Sequence, residues 1–345
     1  MLQWNYAYST VEEGLTVAGQ TRRPIIAVGD LVWDVLTRPD GILLPGGDTT
    51  GRIALTPGGS AANVAAWIAR AGMPAGFVGK IGADALGDLI VADLAREGVQ
   101  LHVSRTAAHD TGVILVLIDR VGQRSMVTNQ GADFCLLPED LPVDALQSCS
   151  HVHITAWSLF SDPPRAAALR AAQLAKAAGA TISFDPASYQ MIREMGHDKF
   201  ARITADLPFD MLFPNRDEGQ ALTGEREPAA IAQALRERYP DAIIALKLDR
   251  DGCYVLAEKH AQAYPTNDRP ALDATGGGDA FDAAFIARYA RDRDLAAAAR
   301  FANAIAGWVV ARYGARPPAD DELTAILHDA ALESANTALR SSREN

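Results

Sequence analysis

Two glycine-rich strings often announce a nucleotide site, GxGxxG after a strand and GxxxxGKS/T, and neither occurs in this chain. Their absence argues against a dinucleotide-dependent oxidoreductase and against a P-loop enzyme. Cysteine is scarce. Cys135, Cys149 and Cys253 lie far apart, with no CxxC spacing, and read as reduced structural thiols. Nowhere do 18 apolar residues run together, and the first 23 residues carry Glu12, Glu13, Arg22 and Arg23 with no apolar leader core. No membrane partner and a cytoplasmic location are expected. Lys and Arg number 32 against 43 Asp and Glu, a formal net charge of −11, and no basic run stands out. Nucleic acid is therefore not an expected partner.

What is present suits one large α/β unit. Hydrophobic residues make up 48% of the 345, enough for a substantial core. Residues 1–23 have no persistent period and read as an N-terminal extension. Residues 24–337 read as a single domain, with a short tail at 338–345. Pro24–Gly29 is an apolar run ending at a glycine, the form of a buried strand, and Asp30 and Asp34 follow where its C-terminal end would open into a site. Either aspartate taken alone reads more simply as a solvated loop carboxylate. Gly76–Gly82 reads as strand then turn, and Asp84–Arg96 as an amphipathic helix. From residue 150 the alternation is regular: strands at His151–Thr155, Thr181–Phe184, Asp210–Phe213 and Ala242–Leu246, with helices near 164–178 and 228–238 between them. That is a parallel sheet covered on both faces. Gly252–Leu256 continues it into an antiparallel edge. A hairpin pattern, Thr111–Ile118 and Arg124–Thr128, joins Arg52–Pro57 in a small lid sheet assigned to residues 35–57 and 111–130. His151 and His153 alternate along a strand and read as core residues. A long Ala-rich helix covers Asp294–Ala311, Pro317-Pro318 breaks the pattern, and a last helix covers 319–335.

Two glycine-led helix starts stand out. Gly58-Gly-Ser-Ala-Ala-Asn63 opens a helical run that stops at Gly72, with Ser60 as N-cap. The glycines permit either close backbone approach to a ligand or close packing on the sheet. Asp273-Ala-Thr-Gly-Gly-Gly-Asp279 precedes a helical pattern in which Phe281, Phe285 and Tyr289 share a face. A helix start presents unpaired N–H groups and partial positive charge, and glycine lets an anion reach them. Asp279 at that place is either a base for an attacking hydroxyl or an ordinary helix-start carboxylate.

Taken with Asn215-Arg-Asp-Glu218, these elements resemble the ribokinase-like (PfkB) family of carbohydrate kinases, over about Ile25 to Pro318. The resemblance implies a ribokinase-like three-layer α/β/α sandwich with a mainly parallel central sheet and a small β lid. It implies ATP-dependent phosphorylation of a hydroxyl on a small sugar or sugar acid, with ATP and Mg²⁺ and, in some members, K⁺. It implies further that Asp279 takes the hydroxyl proton while Gly276, Gly277 and Gly278 cradle the phosphoryl group. Asp34, Gly58, Gly59 and Asn63 would hold the acceptor, and Trp157 would stack on it or belong to the core. Asn215, Glu218, Lys247, Gly252 and Asn303 would face nucleotide, with Glu218 near Mg²⁺, and Asp273 and Thr275 would lie near a monovalent cation. Lid strands offer an unpaired edge, which makes a homodimer through the lid a possible assembly. Two departures are visible: Asp249 stands where the family usually has glycine, and Ser60 where ribokinases carry lysine. A nucleoside kinase and a non-catalytic sugar or nucleotide sensor remain the alternatives.

Overall fold

The computed structural model describes residues 22–119, 124–129, 131–266 and 269–344. The expected N-terminal extension therefore lies almost wholly outside the described residues, as does the tip of the lid hairpin. In chain order the strands are β1 (Ile25–Val28), β2 (Val32–Pro39), β3 (Gly51–Gly58), β4 (Ala75–Gly82), β5 (Gln100–Thr106), β6 (Val113–Ile118), β7 (Arg124–Thr128), β8 (His151–Thr155), β9 (Thr181–Asp185), β10 (Met211–Leu212), β11 (Ile243–Lys247), β12 (Cys253–Ala257) and β13 (His260–Tyr264). Nine form the main sheet, in the order β13-β12-β11-β10-β9-β8-β1-β4-β5. From β11 to β5 all neighbours are parallel, and β12 and β13 add the antiparallel edge.

Apolar runs at the centre of this sheet are buried on both faces. Along β1, Ile25 and Ala27 join one core while Ile26 and Val28 join the other, which is the two-residue period of a strand sandwiched between helix layers. On the first side pack the helices Ser60–Arg70, Gly277–Asp292 and Leu295–Val310; on the second, Pro164–Ala177 and Pro228–Arg238. Trp67 and Trp308 meet edge to face in the first core, centroids 5.9 Å apart, and each indole N–H finds a partner in Ala315 O or Asp320 Oδ1. Burial of side chains this large contributes about 1.5–3 kcal/mol each. His151 and His153 are core residues, bonded to Thr181 and Ser183 hydroxyls, and burial pushes their pKa down to about 3 and about 4. All three cysteines are free.

The remaining four strands make a second sheet, β3-β2-β6-β7, the expected lid with different limits. Its first strand begins at Val32, so Asp34 lies within a lid strand rather than in a loop after β1. The sheet pairs Asp34 with Thr56 and Ile114, and Ile114 with Thr128. Several other expectations need correction. β4 runs through Gly82 without a turn. The last helix spans Asp321–Glu344, so the backbone of 338–344 continues it. Ser60 is the first helical residue and not its cap: the amides of Ser60 and Ala61 are capped from outside by the Asp30 carboxylate, at 2.8 and 3.0 Å. A capping group 30 residues upstream leaves no local sequence signal.

In the main sheet the chain runs outward from β1 to β4 and β5, then returns to build β8 to β11 on the other flank. The order reverses between β1 and β8, and the C-terminal ends of strands flanking such a switch point form a crevice. Asp30, Trp157, Asp185, Asn215 and Lys247 all lie at or just beyond those ends.

Candidate active site

The Gly277–Asp292 helix starts at this crevice. Asp273 shapes the approach: one carboxylate oxygen accepts from Thr275 N and Oγ1 at 3.0 and 2.6 Å, the other from Gly314 N at 2.9 Å. Gly276 then turns the chain left-handed at φ 72°, where a β-carbon would come within 2.4 Å of Ala315 Cβ. Glycine there is required by the fold. Gly278 differs, because a β-carbon would meet only Lys247 Nζ, at 3.5 Å. The fold itself therefore leaves room for a side chain at this position. The turn folds the Gly277 N–H back onto Ala274 O at 3.3 Å, so this amide is not free as expected. Those of Gly276, Gly278 and Asp279 have no partner among the described residues.

Asp279 is the third residue of the helix and does not cap it; the cap position is Gly276, and no side chain fills that role. Its carboxylate instead accepts from Asn63 Nδ2 at 2.8 Å. Burial pushes its pKa up to about 7, with Asp185 and Asp30 adding to the rise against the Asn63 bond and Lys247.

Two cavities meet at this residue. One, of 560 Å³ under the lid, is lined by Asp34, Gly59, Asn63, Asp133, Trp157 and Asp279 among others. The second, of 650 Å³ over the C-terminal ends of β9 and β11, is lined by Asp185, Asn215, Glu218, Lys247, Asp249, Gly252 and Asn303. Asp279, Gly278, Ala274 and Ser60 border both. A third cavity, of 460 Å³, lies beside Pro24 and Gln100 and holds none of the expected site residues. Gly58 is needed beside the first cavity because a β-carbon there would stand 2.5 Å from Asp34 Oδ2.

A sequence profile described as pfkB family carbohydrate kinase matches residues 23–322 of the chain. The chain belongs to that family. Over 308 residues it is 33% identical to the ATP-dependent ribose-1-phosphate kinase of Halopiger xanaduensis, covering 88% of this chain and 98% of that protein. It is 30% identical to the fructokinase of Klebsiella pneumoniae, covering 76% and 83%. Among solved structures, the adenosine kinase of Sinorhizobium meliloti superposes with a TM-score of 0.79 over 89% of this chain and 99% of that one, at 24% identity, a likeness of fold. The expected ribokinase-like sandwich with a small second sheet is present, and the chain is a carbohydrate kinase.

Within this pfkB chain several site residues have fold-level reasons to be where they are. Asn215 and Glu218 form a reciprocal capping box on the helix Arg216–Thr223, with bonds of 2.9 and 2.8 Å. Glu218 is nonetheless buried, and burial with Asp185 close by pushes its pKa up to about 8. Gly252 takes φ 89°, and a β-carbon would lie 2.1 Å from Tyr264 O. Asp249 adopts φ 54°, which explains the usual glycine at its position; aspartate is among the few side chains that tolerate that region. Asn303 donates to Tyr264 O at 2.8 Å while its residue lines the second cavity.

The least anticipated feature is around Lys247. Its ammonium lies 2.7 Å from Asp185 and 3.0 Å from Asp282, and neither carboxylate was singled out in the sequence. Burial alone would lower the Lys247 pKa, but Asp185, Asp282 and Glu218 more than reverse this and hold it above its ordinary value. Asp185 ends a strand and Asp282 sits one turn past Asp279; the spacing of the latter pair, three apart, was the available signal. Removal of the cation strands two buried acids. Lys247→Met is expected to lose about 3–5 kcal/mol of stability, read from urea unfolding at neutral pH. The loss should shrink as pH falls, since the stranded carboxyls bind protons more tightly folded than unfolded. A loss below about 1 kcal/mol would place the pair among weakly coupled surface charges.

Proposed function

We propose that this protein transfers the γ-phosphoryl group of ATP to a hydroxyl of a small sugar, with Asp279 as the base. The observation that carries the reading is the position of Asp279 at the border between the two cavities, beside unpartnered helix-start amides. An acceptor in the lid cavity and a nucleotide in the other would meet at this point. Phosphoryl transfer calls for positioning and neutralisation of charge on the equatorial oxygens. The amides of Gly276, Gly278 and Asp279 and the Lys247 ammonium are of the right sign for this. The relatives' names, an ATP-dependent kinase of ribose 1-phosphate and a fructokinase, support ATP as donor and a sugar as acceptor.

Asn63 lines the acceptor cavity and orients the Asp279 carboxylate through its Nδ2. Asp34 and Trp157 line the same cavity and would contribute a hydrogen-bond acceptor and a stacking face. Asn215, Asn303, Asp249 and Gly252 would lie along the nucleotide. Magnesium is held by few carboxylates plus phosphate oxygens and water. Asp185 and Glu218, both lining the nucleotide cavity, suit that mode, and no cluster of three metal-type residues occurs among the described residues. Mg²⁺ would neutralise phosphate charge there. The Asp273 carboxylate already binds Thr275 and Gly314, which supports a role in shaping the loop; a K⁺ ion near it would bind alongside those bonds.

Asp279→Asn is expected to lower kcat by at least about 10²-fold with acceptor binding retained, measured as ADP release with Mg²⁺ and ATP. Because the base form is the carboxylate and its pKa lies at about 7, wild-type kcat should fall as pH drops below neutrality and level off above it. Near-normal turnover of the folded variant would end the assignment.

The lid supplies the basis for a second copy as partner. On its face away from the cavity, Leu55, Val35, Leu115 and Val127 form one cross-strand row, and Leu55, Leu115 and Val127 are exposed. A contiguous exposed apolar row of this kind marks an association surface. Sedimentation should give a dimer for the wild type and a monomer for Val127→Asp; a wild-type monomer would dispose of the lid-to-lid contact.

A further inference from the structure

The helix that begins at the crevice carries a second acid, out of reach of any ligand. Asp282 lies four residues past Gly278 on the Gly277–Asp292 helix, so the two share a face, one turn apart. Side chains on a helix tilt toward its N-terminus, and Asp282 is 0% exposed. Its carboxylate acts inside the protein, where Oδ1 accepts from the Lys247 ammonium at 3.0 Å. Lys247 arrives from the opposite side, as the last residue of β11. A β-carbon on Gly278 would stand 3.5 Å from its Nζ, which puts the ammonium beside the unpartnered Gly278 amide.

An ammonium has three N–H donors. Two are taken, by Asp185 Oδ2 at 2.7 Å and by Asp282 Oδ1, and the third has no acceptor among the described residues. Lys247 lines the nucleotide cavity and its side chain is 12% exposed, so that donor is left for what enters there. The two carboxylates that hold the ammonium are not equivalent. Asp185 lines the same cavity, and its other oxygen already accepts from Ala187 N at 2.7 Å. It is thus shared between Lys247 and whatever binds beside it. Asp282 lines neither of the two cavities that meet at Asp279, so its hold on Lys247 does not depend on what is bound. Lysine is a point charge on a flexible four-carbon stem, and fixing it beforehand removes an ordering cost from the transfer.

We propose that Asp282 is a positioning residue for phosphoryl transfer, fixing the Lys247 ammonium beside the Gly278 amide so that its third N–H meets the phosphate being transferred. The inference rests on nucleotide occupying the second cavity, and it adds to that reading a residue that no substrate touches. Partners one step behind a metal's ligands typically matter by about 10–100-fold in activity, and the same scale applies to an ammonium held in this way. Loss of Asp282 leaves Lys247 paired one to one with Asp185, so no buried charge is stranded and the fold is expected to survive.

The test is a double-mutant cycle on the full chain, with ADP release read at saturating ATP and Mg²⁺ and with fructose, ribose and ribose 1-phosphate as acceptors. Asp282→Ala is expected to lower kcat about 10–100-fold and to leave the acceptor KM unchanged, since the lid cavity is untouched. In a Lys247→Met background the same substitution should have almost no effect, because no ammonium is left to position. An unchanged kcat in Asp282→Ala, or an equal fall in both backgrounds, would overturn the proposal. Asp282→Leu, close to aspartate in shape, stands in if the alanine variant does not fold. Calorimetry decides where Lys247→Met does not fold or no acceptor turns over. Without Mg²⁺, Asp282→Ala should bind a non-hydrolysable ATP analogue roughly tenfold more weakly than the wild type does, and AMP equally well. Equal affinity for the analogue, or a matching loss for AMP, would count against Asp282. A wild type that binds the analogue yet releases no ADP with any of the acceptors would defeat the sugar-kinase reading and leave Asp282 to the calorimetry.

Discussion

A single hydrogen bond, from Asn63 to Asp279 over 2.8 Å, joins the two helix starts on which the site is built. Its partners are 216 residues apart in the chain, so it joins segments that only the tertiary fold brings together. Each helix reaches the crevice by a special device. The Ser60 helix is capped by Asp30 from the end of β1, and the Gly277 helix is turned into place by a left-handed glycine packed on Ala315. The result is one half-buried carboxylate bordering two cavities, with a pKa near neutrality. A carboxylate of that pKa is ionised often enough to act as a base and basic enough to take a proton.

The electrostatics around it are a balance of opposite demands. Asp185, Asp282 and Glu218 crowd one ammonium, Lys247, on the nucleotide side. On the lid side four aspartates line the cavity and, among the described residues, no Lys or Arg does, although Arg316 acts on Asp34 from behind. Burial of so many acids is unfavourable, and several respond with raised pKa values. Such strain is common where binding sites are prepared for a ligand that will satisfy them.

The main sheet was readable because its strands are short apolar runs separated by amphipathic helices, a pattern with few alternatives. Helix limits such as Pro228–Arg238 followed from local signals. The lid was read less well. β2 carries Asp34 and polar residues and has an exposed distal half, so its sequence looks like a loop, and β5 and β13 were not anticipated for the same reason. The glycine-led elements at 58–63 and 273–279 do converge, since Asn63 and Asp279 are bonded. Which glycines serve the fold and which the ligand needed coordinates: Gly276 and Gly252 are fixed by backbone neighbours, whereas Gly278 faces open space and Lys247. Asp133 and Asp185 carry no pattern of their own. They become recognisable only when strands and turns distant in sequence bring them to a common cavity.

The central claim is that acceptor and nucleotide occupy separate cavities with Asp279 at their junction. A crystal structure with the acceptor, Mg²⁺ and a non-hydrolysable ATP analogue tests it most directly. The account requires the terminal phosphate against the amides of Gly276 and Gly278, and the acceptor hydroxyl on the Asp279 carboxylate. A nucleotide seated under the lid, or an acceptor bound with Asp279 still held by Asn63 and out of reach, would contradict it.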